Sequence, residues 1–221
     1  MINELPVIPI LLFSVIIHEI AHGSMAMKLG DPTAKMLGRL TLNPIPHIDP
    51  VGSVLVPLLS LAATGHVFIA WAKPVPVNPL NFANPRRDNI LVSIVGPLSN
   101  IVLAFVCSVM VVALASVMRT VGGSSTMAGE LLGFLITMFY GGIYMNVVLA
   151  VFNILPIPPL DGSHVLAAAL PAAAAKKFMS IGFAGVILFL FLMRVPIVQE
   201  VFTAMIAAAF APFRALVEMF L

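Results

Sequence analysis

The stretch His18-Glu19-Ile20-Ala21-His22 decides the fold, because it lies inside an apolar run at positions 5–27. Residues four apart share one face of an α-helix, so both imidazoles can bind a single zinc ion. Glu19 follows the first histidine and can reach a water molecule on that ion. Each ionisable side chain costs at least ~2.5–3.5 kcal/mol at the centre of a bilayer helix. Chance can produce the same pattern, but the apolar flanks favour a metal site within a membrane.

The composition indicates an integral membrane protein. Of 221 residues, 61% are hydrophobic and 9% are charged, and the mean hydropathy is +1.11. Soluble proteins carry about 25% charged residues. The net charge of +2 does not indicate a nucleic-acid partner, and the single Cys107 can form no internal disulfide. The first six residues lack a basic signal-peptide region, so the first apolar run is predicted to be a retained helix.

The length suits one membrane-embedded domain over residues 1–221, with its core at about 5–165 and C-terminal helices at about 178–214. We predict an all-α polytopic fold with five to six transmembrane helices. Apolar stretches long enough to span occur at 5–27, 89–118, 127–155, 178–193 and 197–213.

The segment 51–72 is apolar but interrupted. Gly52, Pro57 and Gly65 break the run, and His66 lies within it. We expect this segment to enter the membrane and return on the same side. The alternative is that it spans the membrane and that Asp161 reaches the zinc ion through a deeply re-entrant loop. Residues 38–43 alternate apolar and polar side chains, and residues 71–78 contain two prolines. Both are predicted to be short edge β-strands near the active site, because proline cannot serve a central ladder.

A second motif, Asn153-Ile-Leu-Pro-Ile-Pro-Pro-Leu-Asp161-Gly162, follows the third apolar stretch. Its prolines end the helix, and irregular backbone at membrane depth must lie against protein or a water-filled cavity. Catalytic zinc usually has three protein ligands, so Asp161 is the predicted third ligand beside His18 and His22. The alternative is that Asp161 only caps the next helix. His47 and Asp49 are competing ligands.

The two motifs together resemble those of the site-2 protease family, whose members are intramembrane zinc metalloproteases. The resemblance rests on HEIAH at 18–22, GPLSN at 96–100 and NILPIPPLDG at 153–162. It implies one zinc ion per chain, with His18, His22 and Asp161 as ligands and Glu19 as the catalytic acid and base. It also implies a membrane-spanning protein as substrate. Many relatives carry a PDZ or CBS domain, and these 221 residues have room for neither.

Three asparagines are candidates for a polar role. Asn153 is the predicted donor to the oxyanion or the substrate, since an Asn that faced lipid would be costly. Asn100 and Asn146 are weaker candidates for the same role, and for all three the alternative is hydrogen bonding between helices. Gly96, Gly141 and Gly142 are predicted to permit close helix packing.

Metal ligation also constrains the topology. His18 and Asp161 both lie near the C-terminal end of a membrane segment. Because both must reach one zinc ion, those two helices must run in the same direction. Most basic residues, Arg214 among them, then fall on one side, and Arg119 and Arg194 fall on the other. The positive-inside rule makes the crowded side cytoplasmic, with the zinc site near it, in a bacterial cytoplasmic membrane by default.

A different class of function remains open at this point. A metal-binding membrane protein without protease activity, such as a transporter or an inactive homologue, would also place histidines in a membrane helix. Glu19 discriminates between the two, because a transporter needs no general base beside a ligand.

Overall fold

The computed structural model describes residues 7–55, 72–121 and 127–220. Within these ranges, four helices are long and apolar enough to cross a membrane. The α-helices are α1 (Val7–Lys28), α2 (Thr33–Met36), α3 (Pro85–Val121), α4 (Met127–Asn153), α5 (Asp161–Ala169), α6 (Ala172–Met179), α7 (Ala184–Leu192) and α8 (Pro196–Phe220). Short 3₁₀ turns lie at Ile45–His47 and Pro79–Asn81, and a π-helical turn lies at Pro50–Leu55.

Contacts between α1 and α4 show that these two helices run in the same direction. A Cβ atom on Gly141 would lie 2.5 Å from Val7 Cγ2, and one on Gly142 would lie 2.9 Å from Ile10 Cγ1. Further along both helices, Asn146 Nδ2 donates to Ser14 Oγ at 2.8 Å. Residue numbers therefore increase in the same direction along both helices. Binding of one metal ion by His18 and Asp161 requires this arrangement. It also confirms that these two glycines permit close packing.

The helix α3 runs antiparallel to both α1 and α4. His18 contacts Asn100, and His22 contacts Val92, which comes earlier in α3. The end of α1 and the start of α3 therefore lie at the same end of the bundle. The chain between them leaves and returns at that end. The path of the predicted re-entrant segment itself lies largely outside the described residues, at 56–71.

The helices α1, α3, α4 and α8 share one apolar core. Its buried members are Ile10, Ala104, Cys107, Val111, Ile143, Val147, Val151, Ile206 and Val217. Serine and asparagine side chains interrupt this core toward the end that carries His18. The polar atoms are thus gathered at the depth of the two histidines.

The predicted span at 178–193 is wrong as a continuous helix. The structure breaks it between α6 and α7, which are bent by 73° relative to each other. Gly182 lies in the break with φ of +52°, a conformation that glycine adopts without strain. Counting the bent pair as one span gives up to five spans among the described residues.

The break changes the direction of the last helix. Phe210 of α8 contacts Tyr140 and Tyr144, whereas Phe202, earlier in α8, contacts Phe189. Phe189 in turn contacts Phe152, at the end of α4. The helix α8 therefore runs antiparallel to α4. Arg194, just before α8, lies toward the His22 end and Arg214 lies toward the opposite end, which corrects the sequence-based placement of both.

The two predicted edge strands are also wrong, since the structure contains no strand in its described ranges. Residues 38–39 complete the turn after α2, with Gly38 at φ +66°. Residues 73–78, which we call the strap, are extended but form no ladder. Their amide groups donate elsewhere: Lys73 N to the His47 carbonyl, Val75 N to Glu19 and Asn78 N to Asp31. Pro74 and Pro76 have no N–H to donate.

Candidate metal centre

The structure brings His18, His22 and Asp161 together. Asp161 Oδ2 lies 3.2 Å from His18 Nε2 and 3.3 Å from His22 Nε2. The two Nε2 atoms are 3.0 Å apart. Among the described residues, these three form the cluster of potential metal ligands. His47 and Asp49 do not join it: His47 Nε2 bonds to the Thr41 carbonyl, and Asp49 Oδ1 accepts from Val51 N and Gly52 N.

The proline-rich motif positions Asp161 at the start of α5. A Cβ atom on Gly162 would overlap the Ile154 carbonyl, so only glycine lets α5 begin this close to the end of α4. Leu160 occupies the N-cap position, and Asp161 is the first residue of α5. The Asp161 carboxylate turns toward the histidines.

Each histidine is oriented by its Nδ1 atom. His22 Nδ1 lies 2.7 Å from the Val92 carbonyl, and His18 Nδ1 lies 2.7 Å from Asn100 Oδ1. A carbonyl only accepts, so a neutral His22 carries its proton on Nδ1 and presents a lone pair at Nε2. Gly96 lies against both rings, since a Cβ atom there would overlap His22 Nε2 and lie 2.7 Å from His18 Cε1.

The cluster fits a metal cation. Asp161 Oδ2 is buried and finds no hydrogen-bond partner in the part of the chain that the structure describes. An ionised oxygen that faces the His22 lone pair is costly to bury unless a cation compensates it. Two imidazole nitrogens and one carboxylate oxygen are also the donor set of many catalytic zinc sites.

Glu19 lies in the same turn as His18 and is held by the strap. Its Oε2 atom accepts a 2.6 Å hydrogen bond from Val75 N. The strap is close to α1 here, because a Cβ atom on Gly23 would lie 2.9 Å from Val75 Cγ1 and 2.6 Å from Leu40 Cδ2. The carboxylate is partly buried and its orientation is fixed by a backbone donor.

Asn153 lies at the last residue of α4. Its Nδ2 group donates to the Leu149 carbonyl at 3.0 Å, and the side chain is partly buried. One amide hydrogen remains for another acceptor, so a role toward the substrate stays a prediction.

Sequence reasoning missed several contacts of the site. The Val92 carbonyl and the Val75 amide are backbone groups, and no side-chain pattern reports them. Gly96 was predicted only as a packing residue, and Asn100 only as one possible interhelical donor. The motif GPLSN contains both residues at 96–100. The sequence therefore marked them, but it did not show that they contact the two histidines.

Comparisons with known proteins agree with this geometry. The model of "Peptidase family M50" matches residues 6–194. The Bacillus subtilis (strain 168) protein named "Putative zinc metalloprotease YwhC" is 39% identical over 199 residues, which cover 90% of this chain and 84% of that protein. No solved structure matches this chain.

Mycobacterial relatives are more distant. "Putative zinc metalloprotease Rip2" of Mycolicibacterium smegmatis is 30% identical over 159 residues, which are 70% of this chain and 53% of that protein. The Rip2 of Mycobacterium tuberculosis (strain ATCC 35801 / TMC 107 / Erdman) is 30% identical over 157 residues. The chain thus spans about half the length of the Rip2 proteins. Its motifs, its buried His, His and Asp cluster and the match over most of its length show that the chain belongs to peptidase family M50, the site-2 protease family of membrane-embedded zinc metalloproteases.

Proposed function

We propose that this protein cleaves membrane-spanning segments of other membrane proteins, with one zinc ion held by His18, His22 and Asp161. The observation that carries the proposal is the convergence of two imidazole Nε2 atoms and a buried, unpartnered carboxylate oxygen within 3.3 Å. This cluster lies in a bundle of helices long enough to cross a membrane.

Glu19 is the proposed acid and base. A bound zinc ion lowers the pKa of water to about 7 and polarises a carbonyl group. Glu19 accepts the proton as water attacks the peptide carbonyl, and it then donates the proton to the leaving amine. The Val75 amide holds one carboxylate oxygen of Glu19, which leaves the other oxygen for this proton.

Water and the substrate must both reach the zinc ion, because water is a reactant. The Asp161 side chain is 19% exposed, so the cluster is not sealed. A helical substrate must unwind locally, because its peptide bonds are covered in the helix. Asn153, the last residue of α4, is the proposed donor to the oxyanion or to the unwound segment. The strap is the proposed edge for such a segment through its backbone carbonyl groups, because the amides of Lys73, Val75 and Asn78 already donate elsewhere.

The zinc site is proposed to lie near the cytoplasmic side. Lys28 ends α1, Lys35 and Arg39 follow it, and Arg86 and Arg87 lie in the first turn of α3, so these five basic residues lie at the His22 end. Arg119 and Arg214 lie toward the other end. The positive-inside rule then places the His22 end in the cytoplasm of a bacterial cell.

Metal analysis and cleavage together test the proposal. His18→Ala and Asp161→Ala should each sharply reduce zinc in detergent-purified protein, measured by elemental analysis. Glu19→Gln should retain zinc and abolish cleavage of single-span membrane proteins reconstituted with it. Full zinc occupancy in His18→Ala would show that the site is wrong, and proteolysis by Glu19→Gln would exclude Glu19 as the base.

A further inference from the structure

A buried chain of polar side chains leads from His18 into the apolar core. His18 Nδ1 contacts Asn100 Oδ1 at 2.7 Å, and Asn100 Nδ2 donates to Asn146 Oδ1 at 2.9 Å. Asn146 Nδ2 donates to Ser14 Oγ at 2.8 Å, and Ser14 Oγ donates to the Ile10 carbonyl at 2.7 Å. Ser14, Asn100 and Asn146 have no exposed surface. Three helices contribute to this chain.

The direction of every hydrogen bond in the chain is fixed by two backbone carbonyls. Asn146 Nδ2 lies 2.9 Å from the Gly142 carbonyl, which can only accept, so the amide nitrogen of Asn146 must face it. Ser14 has its hydrogen on the Ile10 carbonyl and therefore accepts from the same nitrogen. Asn146 Oδ1 is then left facing Asn100, and it must accept from Asn100 Nδ2.

The orientation of the Asn100 amide in turn determines which ring nitrogen of His18 carries the proton. Since Asn100 Nδ2 is committed to Asn146, Asn100 Oδ1 faces His18 and His18 Nδ1 must donate the proton. A neutral His18 then carries no proton on Nε2, the atom that faces Asp161 Oδ2. With the Asn100 amide reversed, Nδ2 would face Nδ1 and favour a proton on Nε2, which blocks metal ligation.

We propose that Asn100 is a positioning residue that sets the tautomer of His18, and that Asn146 and Ser14 hold Asn100 in the required orientation. The inference rests on the proposed function only in taking zinc as the ion that His18 binds. His22 needs no such device, because the Val92 carbonyl sets its tautomer directly. The competing role is interhelical packing alone, which would stabilise the bundle without affecting zinc.

Zinc affinity of the detergent-purified full chain, measured by competition with a chelator, is the main test. Asn100→Leu removes the acceptor but keeps the number and branching of the side-chain heavy atoms, and it should weaken zinc binding about 10- to 100-fold, as loss of a partner of a metal-bound histidine does. Asn146→Leu touches neither zinc nor a ligand, and it should also weaken zinc binding. Asn100→Asp keeps an acceptor for His18 Nδ1 but loses the donor to Asn146 Oδ1, so its zinc affinity should lie between those of wild type and Asn100→Leu.

A matched serine pair separates this role from packing. Ser14 and Ser108 are both fully buried, and each bonds to the carbonyl four residues earlier, but only Ser14 accepts from Asn146. Ser14→Ala should weaken zinc binding about 2- to 10-fold, the effect of one hydrogen bond, and Ser108→Ala should leave it unchanged. This pair decides the question if Asn100→Leu fails to fold.

The tautomer itself can be read by nitrogen NMR of histidine-labelled, zinc-free protein. Wild type and Asn100→Asp should show His18 protonated on Nδ1, and Asn100→Leu should show a mixture. Wild-type zinc affinity in Asn146→Leu and Ser14→Ala, or equal losses in Asn100→Asp and Asn100→Leu, would overturn the proposal. None of these measurements requires proteolysis, so a failure of the proposed protease function would be visible separately in the cleavage assay.

Discussion

At the scale of single residues, two glycines make room for the metal ligands because they have no side chain. Gly96 has no side chain, and this leaves room for the rings of His18 and His22 against α3. Gly162 similarly lets α5 start against the end of α4. The ligands are therefore placed by glycines that take no part in the chemistry.

Gly96→Ala should weaken zinc binding about 10- to 100-fold, because a methyl group would overlap His22 Nε2 and overpacking of this kind typically costs 1–3 kcal/mol. The measurement is chelator competition in detergent. Gly133→Ala on α4 is the matched control, since nothing lies within 4 Å of its Cβ position. That variant should bind zinc normally and be more stable by about 0.5–1 kcal/mol. Equal zinc affinity in both variants would contradict the contact at Gly96.

Asn153→Ala should retain zinc and fold but lower turnover by about 10- to 1000-fold, the range for losing one oxyanion donor or a positioning contact. The remaining amide hydrogen of Asn153, beside its bond to Leu149, is the group that the substitution removes. Steady-state cleavage of a reconstituted substrate, with zinc content measured in parallel, gives the result. Unchanged turnover would reduce Asn153 to a residue that ends α4.

At the scale of structural elements, hydrogen bonds hold the strap at its centre and at its end. Val75 N, at the centre, donates to Glu19 of α1, and Asn78 N, at the end, donates to Asp31, which follows α1. Asp31 is fully buried and accepts from Asn78 N and Asn81 Nδ2, both at 2.7 Å, as well as from Thr33 N and Thr33 Oγ1. A single carboxylate thus fixes the path of the chain over the site.

Asp31→Asn should loosen the strap, because an amide replaces one acceptor oxygen with a donor that faces other donors. The expected cost is about 1–3 kcal/mol, visible as faster proteolysis within residues 72–84. Burial opposes ionisation of Asp31, but hydrogen bonds from Thr33, Asn78 and Asn81 lower its pKa below the ordinary value. A lowered pKa in the folded state means that the stabilisation is present above the ordinary pKa and is lost as pH falls through the folded one.

The wild-type strap should therefore become protease-sensitive in acid, and Asp31→Asn should lack this pH dependence. Asp49→Asn is the control, because the Asp49 side chain accepts from the nearby Val51 and Gly52 amides and, in the part of the chain that the structure describes, forms no hydrogen bond with the strap. An equal effect of both substitutions would show that Asp31 is not the anchor.

At the scale of the whole molecule, the directions of the helices decide where the metal centre lies. The helices α1 and α4 run in parallel and α3 runs opposite to both, so the ends of α1 and α4 meet. Residues 29–84 must then begin and end on one side of the membrane. The exposed Lys35 and Asn84 belong to this stretch.

Single cysteines at Lys35 and Asn84, in a Cys107→Ser background, should both be labelled by an impermeant reagent from the same side. A cysteine at Thr120, exposed near the end of α3, should be labelled from the opposite side. Labelling is measured on sealed inverted and right-side-out vesicles. Opposite labelling of Lys35 and Asn84 would overturn the topology.

The sequence by itself determined the class of the protein and most of its chemistry. The apolar stretches predicted four of the long helices, because a bilayer requires about 20 apolar residues in a row regardless of neighbours. The spacing of His18 and His22 follows from the helix period alone, and Asp161 followed from the need for a third ligand. These are local properties, and each can be calculated along one segment.

Only the tertiary structure decided what depends on contacts between segments. The strap was predicted as a strand edge, but its amides bond to side chains of α1 and its surroundings, which no local pattern reports. The stretch 178–193 was predicted as one span, but hydropathy does not report backbone turns, and a turn at Gly182 divides this stretch. The helix α8 consequently runs opposite to the predicted direction. The orientation of Asn100 likewise depends on carbonyls of Ile10 and Gly142, on two other helices.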